Sequence, residues 1–369
     1  MSPIRVISIE GSPLSTPLRD PFVIASGRID AIRAMLIRAT IETDTGVRGT
    51  GLGEAAALPP VTREDQPDLL RALAEEAPGL SGARIADHAD LQARLEAALV
   101  RSVVVRAGVE AAILDAWARA AGVPLARALA GAEGATLAVA SLFTDITLSI
   151  SNPEQMRARA LAHHAAGFSC FKVKVGLDWQ ADRDALLAVA RAVPDARFRL
   201  DANGGFSARD ALVLLDAILD AGMVVECYEQ PCARGDLRGM AEVKARTSVP
   251  VVADESFRDE ADLAALIDHQ AADAVNLKLV KLGGPLRALA LGRRARAAGL
   301  RLMAGAMVES RVGLLAMAHV VTALGGVDWV DLDTAFLLAE DPFEGGWRTT
   351  GPVIELTGEP GLGVRRRDG

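Results

Sequence analysis

The sequence predicts an α/β protein: a (β/α)8-type (TIM-like) barrel preceded by a separate N-terminal α+β domain. Three observations predict it. Near Gly131 the texture changes, from strands followed by Ala/Leu-rich helices to a regular alternation of short apolar strands and amphipathic helices. Eight such strands follow over about 200 residues, the number a closed barrel needs. Charged residues recur at the ends of these strands, about one strand–helix unit apart.

In chain order, residues 3–9 ("PIRVISI") and 35–43 ("MLIRATIET") have strand character, with a Thr-Gly turn at 45–46 before "VRGTGLGEA". Residues 61–131 carry helical spacing in "QPDLLRALAEEA", "DLQARLEAALV" and "AGVEAAILDAWARAAG". The candidate barrel strands are "ASLFTDI", "CFKVKV", "RFRLDAN", "ECYEQP", "VPVVADES", "AVNLKLV", "LRLMAGAM" and "WVDLD". Helices such as "ADRDALLAVARAV" and "ARDALVLLDAILDAG" separate them. The expected units are therefore residues 1–131, the barrel over 132–345, and a C-terminal segment over 346–369.

Composition narrows the function. The chain has 369 residues, and a hydrophobic share of 50% suffices for a full core. Aromatics at 4% provide no stacking platform, and a net charge of −8 without a basic stretch argues against nucleic acid. Cys170, Cys227 and Cys232 are odd in number and lack metal-type spacing, which fits a reducing compartment. Neither a signal peptide nor an apolar run of about 18 residues is visible, so a cytoplasmic protein without a membrane span is expected.

The polar strand ends point to chemistry. Asp201, Glu229, Asp254 and Lys278 follow one another at gaps of 28, 25 and 24 residues, and Glu309 and Asp331 come 31 and 22 residues later. In a barrel these positions share the C-terminal rim, where barrel active sites lie. Three carboxylates crowded there cannot all stay ionised without a cation, and all-oxygen ligation suits Mg²⁺, Mn²⁺ or Ca²⁺. The "FKVKVG" stretch puts Lys172 and Lys174 on one side of a strand, facing those carboxylates. Positive neighbours, the metal included, lower a lysine's pKa, so one lysine is expected to work as a base near neutral pH. Lys278, four strands from Lys174 in a ring of eight, faces it across the barrel, which suits removal and return of a proton on opposite faces of one carbon.

"FKVKVG", "RLDANGG", "YEQP", "ADES" and "VNLKLVKLGG" together resemble the enolase superfamily, in its muconate-lactonizing subgroup. "TDITLSI", "MVES" and "DLD" narrow the resemblance to the dipeptide epimerases, relatives of the alanine–glutamate epimerases. It runs from "PLRDPFVIASG" to "GGW" near residue 347. The resemblance implies an enolase-like fold whose N-terminal domain caps the barrel, with residues 346–369 packing back on that cap. It implies one Mg²⁺ (Mn²⁺ as a substitute) on Asp201, Glu229 and Asp254, with Lys174 and Lys278 as the acid/base pair and Lys172 as helper. Asp331 and Asp333 would hold a dipeptide's α-ammonium group, with Thr144, Met307, Glu309 and Gly27 around the substrate. Lys281 reads as structural. A small-molecule dipeptide is the expected partner, in a homo-oligomer. The alanine–glutamate epimerases carry an arginine in the covering loop, where this chain has Gly27 followed by Arg28. That departure favours small or hydrophobic second residues over glutamate.

Rival readings share parts of this pattern. N-acylamino acid racemases, o-succinylbenzoate synthases and cycloisomerases use the same metal and lysines but need no acidic pair for an ammonium. Sugar-acid dehydratases of the mandelate racemase type use a histidine base on the seventh strand, where this chain has Met307 and Glu309. A Schiff-base aldolase-type barrel leaves the three carboxylates without a purpose.

Overall fold

Residues Ile4–Ile24 and Gly27–Thr43 pair as a long antiparallel hairpin, and Arg48–Ala57 adds a third strand. The computed structural model describes residues 2–24, 27–59, 61–131 and 141–367. The sequence reading took residues 3–9 as strand, and the strand runs on to Ile24 through Pro13, Pro17 and Pro21. They are tolerated because this strand is an edge beyond Arg5, where its other neighbour, Arg84–Ile85, stops. The turn expected at 45–46 is present, with Gly46 at φ +81°. The alternating glycines that follow it continue as strand. A Cβ at Gly49, Gly51 or Gly53 would lie 2.0–2.2 Å from backbone atoms of the helix Val103–Ala120, so only glycine lets that helix pack on the sheet.

Eight parallel strands follow in sequential order: Ile146–Leu148, Cys170–Lys174, Arg197–Asp201, Val224–Glu229, Val251–Ala253, Ala274–Leu277, Arg301–Gly305 and Trp329–Asp331. A bridge from Thr144 to Val330 closes the ring. The first of the strands read from the sequence divides in two. Ser141–Phe143 pairs with the C-terminal hairpin strand Val353–Leu356 and only Ile146–Leu148 enters the barrel, while Ala140 lies outside the described residues. The eighth strand is followed by a single turn, Thr334–Leu337, before the chain leaves the barrel.

Six of the barrel helices begin after Asn152, Asp178, Ser207, Asp236, Asp259 or Ser310, whose side chains accept first-turn N–H groups. The helix Pro285–Ala297 follows Gly284 and has no cap of its own. Its cap comes from the N-terminal domain: Glu110 accepts the Leu286 N–H at 2.7 Å, and a Cβ at Gly284 would collide with that carboxylate. Glu54 does the same for Arg311–Leu324, accepting from Ser310 and Gly313. The two domains are thus joined through buried carboxylates.

Burial pushes the Glu110 carboxyl up from its usual 4.5 to about 8. A folded-state pKa above the unfolded one means the folded chain binds more protons between those values, so its stability contribution is full below pH ~4.5 and fades as pH rises through ~8. The expected outcome is a wild-type unfolding temperature that falls over pH 5–8 more steeply than that of Glu110→Gln, measured by calorimetry across that range.

Candidate active site

The C-terminal ends of the barrel strands bring the charged residues into one buried cluster. Lys172 is 1% exposed, and its ammonium lies 2.7 Å from Glu229, 2.7 Å from Asp331 and 3.0 Å from Asp201. Lys174 reaches Asp201 at 2.6 Å, and Lys278 reaches Asp254 at 2.7 Å. Lys281 donates to the Asp254 carboxylate at 2.5 Å and to its carbonyl at 2.7 Å, a bracing role for Asp254. Lys174 and Lys278 stand on the second and sixth strands, separated by three strands in the ring.

The strand ends are held by groups that sequence reasoning did not single out. Gln230 accepts the N–H groups of Asp254 and Ser256, fixing the next strand's carboxylate. Asn276 donates to Glu229 at 2.8 Å. It lies two residues before Lys278, so the alternation that aligns Lys172 with Lys174 was a usable signal. Asn203 and Gln230 adopt φ of +45° and +37°, left-handed backbone that the surrounding hydrogen bonds sustain at the site.

A cavity lies over these groups. Lys172, Lys174, Lys278, Asp331, Asp333 and Thr147 form its floor. Its roof is apolar: Phe22 and Ile24 from the first hairpin, Leu58 and Val61 from the segment after the third strand, and Met307 and Val308 from the barrel. Met307 is thus among the residues that line the cavity, and Thr144, Glu309 and Gly27 are not. The Thr144 hydroxyl accepts the Leu332 N–H at 2.9 Å and helps close the barrel. Glu309 turns back to accept the Met307 N–H at 2.9 Å, and burial beside Glu54 pushes it up to about 8. Gly27 is at the hairpin tip, and Arg28 pairs with Asp30 at 2.8 Å in solvent, away from the cavity.

The chain's own charges, without a metal, hold two of the site lysines up. Burial pulls the Lys172 ammonium down, but Asp201, Asp331, Glu229 and Asp145 outweigh it and hold it well above its ordinary value. The same balance raises Lys278, led by burial against Asp254 and Glu229. Asp201 and Asp254 are correspondingly lowered despite burial, by lysines close to them. The lysine that is lowered is Lys281, by burial. A lysine base near neutral pH therefore requires these carboxylates to be engaged by another cation.

The donor set fits a hard divalent ion. Asp201, Glu229 and Asp254 offer oxygen only, and beside Asp254 the buried Oε2 of Glu255 accepts no hydrogen bond. The tightest carboxylate group among the described residues is a different one, Asp145, Asp331 and Asp333, with ligand atoms within 4.8 Å of one another. Asp201, Glu229 and Asp254 instead have ammonium groups between them: Lys172 lies against the first two and Lys278 against the third. In this second group Asp331 is held low by Lys172 in spite of burial, whereas burial and Asp331 push Asp333 up to about 7. Arg199 sits below, 2.8 Å from Asp145 and 2.9 Å from Glu226.

Residues 8–130 match the mandelate racemase / muconate lactonizing enzyme N-terminal domain, and residues 155–368 match the enolase C-terminal domain-like family. The chain belongs to the enolase superfamily. Within that superfamily it is similar to the L-Ala-D/L-Glu epimerase of Bacillus subtilis, 32% identical over 98% of this chain and 97% of that one. It is 34% identical to the hydrophobic dipeptide epimerase of Citrifermentans bemidjiense, over 96% of each chain. Among superfamily structures, the dipeptide epimerase of Enterococcus faecalis complexed with Mg and L-Leu-L-Tyr superposes with a TM-score of 0.88 at 28% identity, covering 98% of this chain and 100% of that one.

Proposed function

We propose that this protein is a dipeptide epimerase that inverts the α-carbon of the C-terminal residue of L,L-dipeptides by proton transfer through an enediolate. The observation that carries the reading is one cavity containing two lysines on opposed strands together with the Asp331/Asp333 pair. Asp201, Glu229 and Asp254 would hold Mg²⁺, or Mn²⁺ in its place, which as a Lewis acid on the substrate carboxylate contributes several kcal/mol to the otherwise very weak acidity of the α-proton. Lys172, already among Asp201, Glu229 and Asp331, adds positive charge beside that carboxylate. Lys174 takes the proton from one face and Lys278 returns one to the other. The apolar roof keeps water from the site. It also supports a small or hydrophobic second residue, since Arg28 is spent on Asp30 in solvent. Three free, buried cysteines suit a cytoplasmic setting, and among the described residues no helix is long and apolar enough to cross a membrane.

The Asp331/Asp333 pair separates this reading from an N-acylamino acid racemase. N-acetylation of a good dipeptide removes the ammonium and leaves the buried Asp333 carboxylate without that partner, while Asp331 keeps Lys172 at 2.7 Å. A buried unpaired charge costs about 3–5 kcal/mol, so kcat/KM is expected to fall by at least about a hundredfold. Asp333→Asn should show a similar loss on the free dipeptide and a much smaller one on the acetylated form, in steady-state kinetics on both. Equal turnover of free and acetylated dipeptides by the wild type would move the protein to the racemases.

A further inference from the structure

A second cavity, of about 320 Å³, adjoins the one over the lysines, and Phe22 and Thr147 line both. The Thr147 N–H donates to Asp333 at 2.6 Å, so this cavity begins beside the carboxylate assigned above to the substrate's ammonium. In a dipeptide the α-ammonium and the first residue's side chain hang from the same carbon. An ammonium at Asp331 and Asp333 therefore puts that side chain at the cavity's mouth.

We propose that this cavity receives the side chain of the substrate's N-terminal residue and favours one that ends in a carboxylate; the inference rests on the dipeptide reading. Cationic side chains outnumber acidic ones in its lining. Arg19 comes from the first hairpin and Arg159 and His163 from the barrel helix Pro153–Ala165. Arg19 donates to the Leu338 carbonyl at 2.7 Å and Arg159 to the Ser149 hydroxyl at 3.1 Å. Among the described residues neither guanidinium pairs with a carboxylate. Asp20, the acidic residue in the lining, is exposed at the rim beside Arg19, which is exposed as well, whereas Arg159 is half-buried. Burial lowers His163 and so disfavours its charged form. Two guanidinium groups against one carboxylate leave the cavity net positive, and the planar fork of arginine matches a carboxylate in bidentate fashion. Phe22 and Phe336 supply apolar wall for the methylenes of a glutamyl side chain.

The test is kcat/KM for the L,L-dipeptides Glu-Leu, Gln-Leu, Lys-Leu and Ala-Leu with the wild type, Arg159→Met and Arg19→Met, each with saturating Mg²⁺. The expected wild-type result is Glu-Leu above Gln-Leu and Lys-Leu by about tenfold or more. In Arg159→Met the ratio of Glu-Leu to Ala-Leu should fall by about tenfold, with a smaller fall in Arg19→Met. A ratio is internal to each variant, so partial loss of folded protein does not imitate the effect. Unaltered ratios in both variants, or Lys-Leu ahead of Glu-Leu in the wild type, would overturn this inference alone. If none of the four dipeptides were epimerised, the dipeptide reading would fall and this inference with it.

Discussion

Alanine at Asp201, Glu229 or Asp254 is expected to leave no measurable turnover, and chelation of the wild type with EDTA should do the same until Mg²⁺ or Mn²⁺ is returned. All three carboxylates are at most 2% exposed and lie at the ends of consecutive barrel strands. Lysine ammonium groups occupy their surroundings, so loss of one carboxylate also leaves a buried ammonium short of a partner. The breaking of a buried pair costs about 3–5 kcal/mol. Folding must therefore be followed beside activity, and the metal provides the control. Mg²⁺ should raise the unfolding temperature of the wild type, because a ligand bound only by the folded state stabilises it, and should not raise that of Asp201→Ala. Full activity in a thoroughly metal-stripped sample would contradict the assignment of these ligands.

The second large effect concerns the lysines. Lys174→Ala and Lys278→Ala should each lower epimerisation by about 10³-fold, within the range attributed to a positioned general base or acid. The structure makes these substitutions tolerable. Asp201 keeps Lys172 at 3.0 Å when Lys174 is removed, and Asp254 keeps Lys281 when Lys278 is removed. Each variant retains a base on one face of the substrate, so each should still exchange the α-proton of one configuration in D₂O. The two variants should retain opposite configurations, read by NMR on L,L- and L,D-dipeptides separately. Epimerisation near the wild-type rate by either variant would rule out a two-base mechanism.

Much of this was legible because barrel strands translate spacing into position. Charged residues 24–28 apart in sequence became neighbours on one rim, and the i, i+2 relation put Lys172 beside Lys174. What stayed hidden depended on partners far away in the chain. Glu309 carries the same spacing signal as the others, yet it folds back on the Met307 N–H, which no periodicity reveals. Thr144 faces a barrel seam that exists only once the eighth strand returns to the first. The proline-bearing half of the first strand is possible only at a sheet edge, and whether a strand is an edge is a property of the whole sheet. The lysine pKa expectation counted the metal among the positive neighbours, and the chain's own carboxylates act in the other direction on Lys172 and Lys278.

The central claim, that a proton is moved at the α-carbon of a dipeptide's C-terminal residue, is tested most directly in D₂O. A panel of L,L-dipeptides is incubated with the Mg²⁺-loaded protein, and the products are read by mass spectrometry and chiral separation. The account predicts L,D-dipeptides carrying one deuterium on the C-terminal α-carbon, with hydrophobic second residues ahead of glutamate. Absence of deuterium from every dipeptide, with exchange into N-acylamino acids under the same conditions, would contradict it.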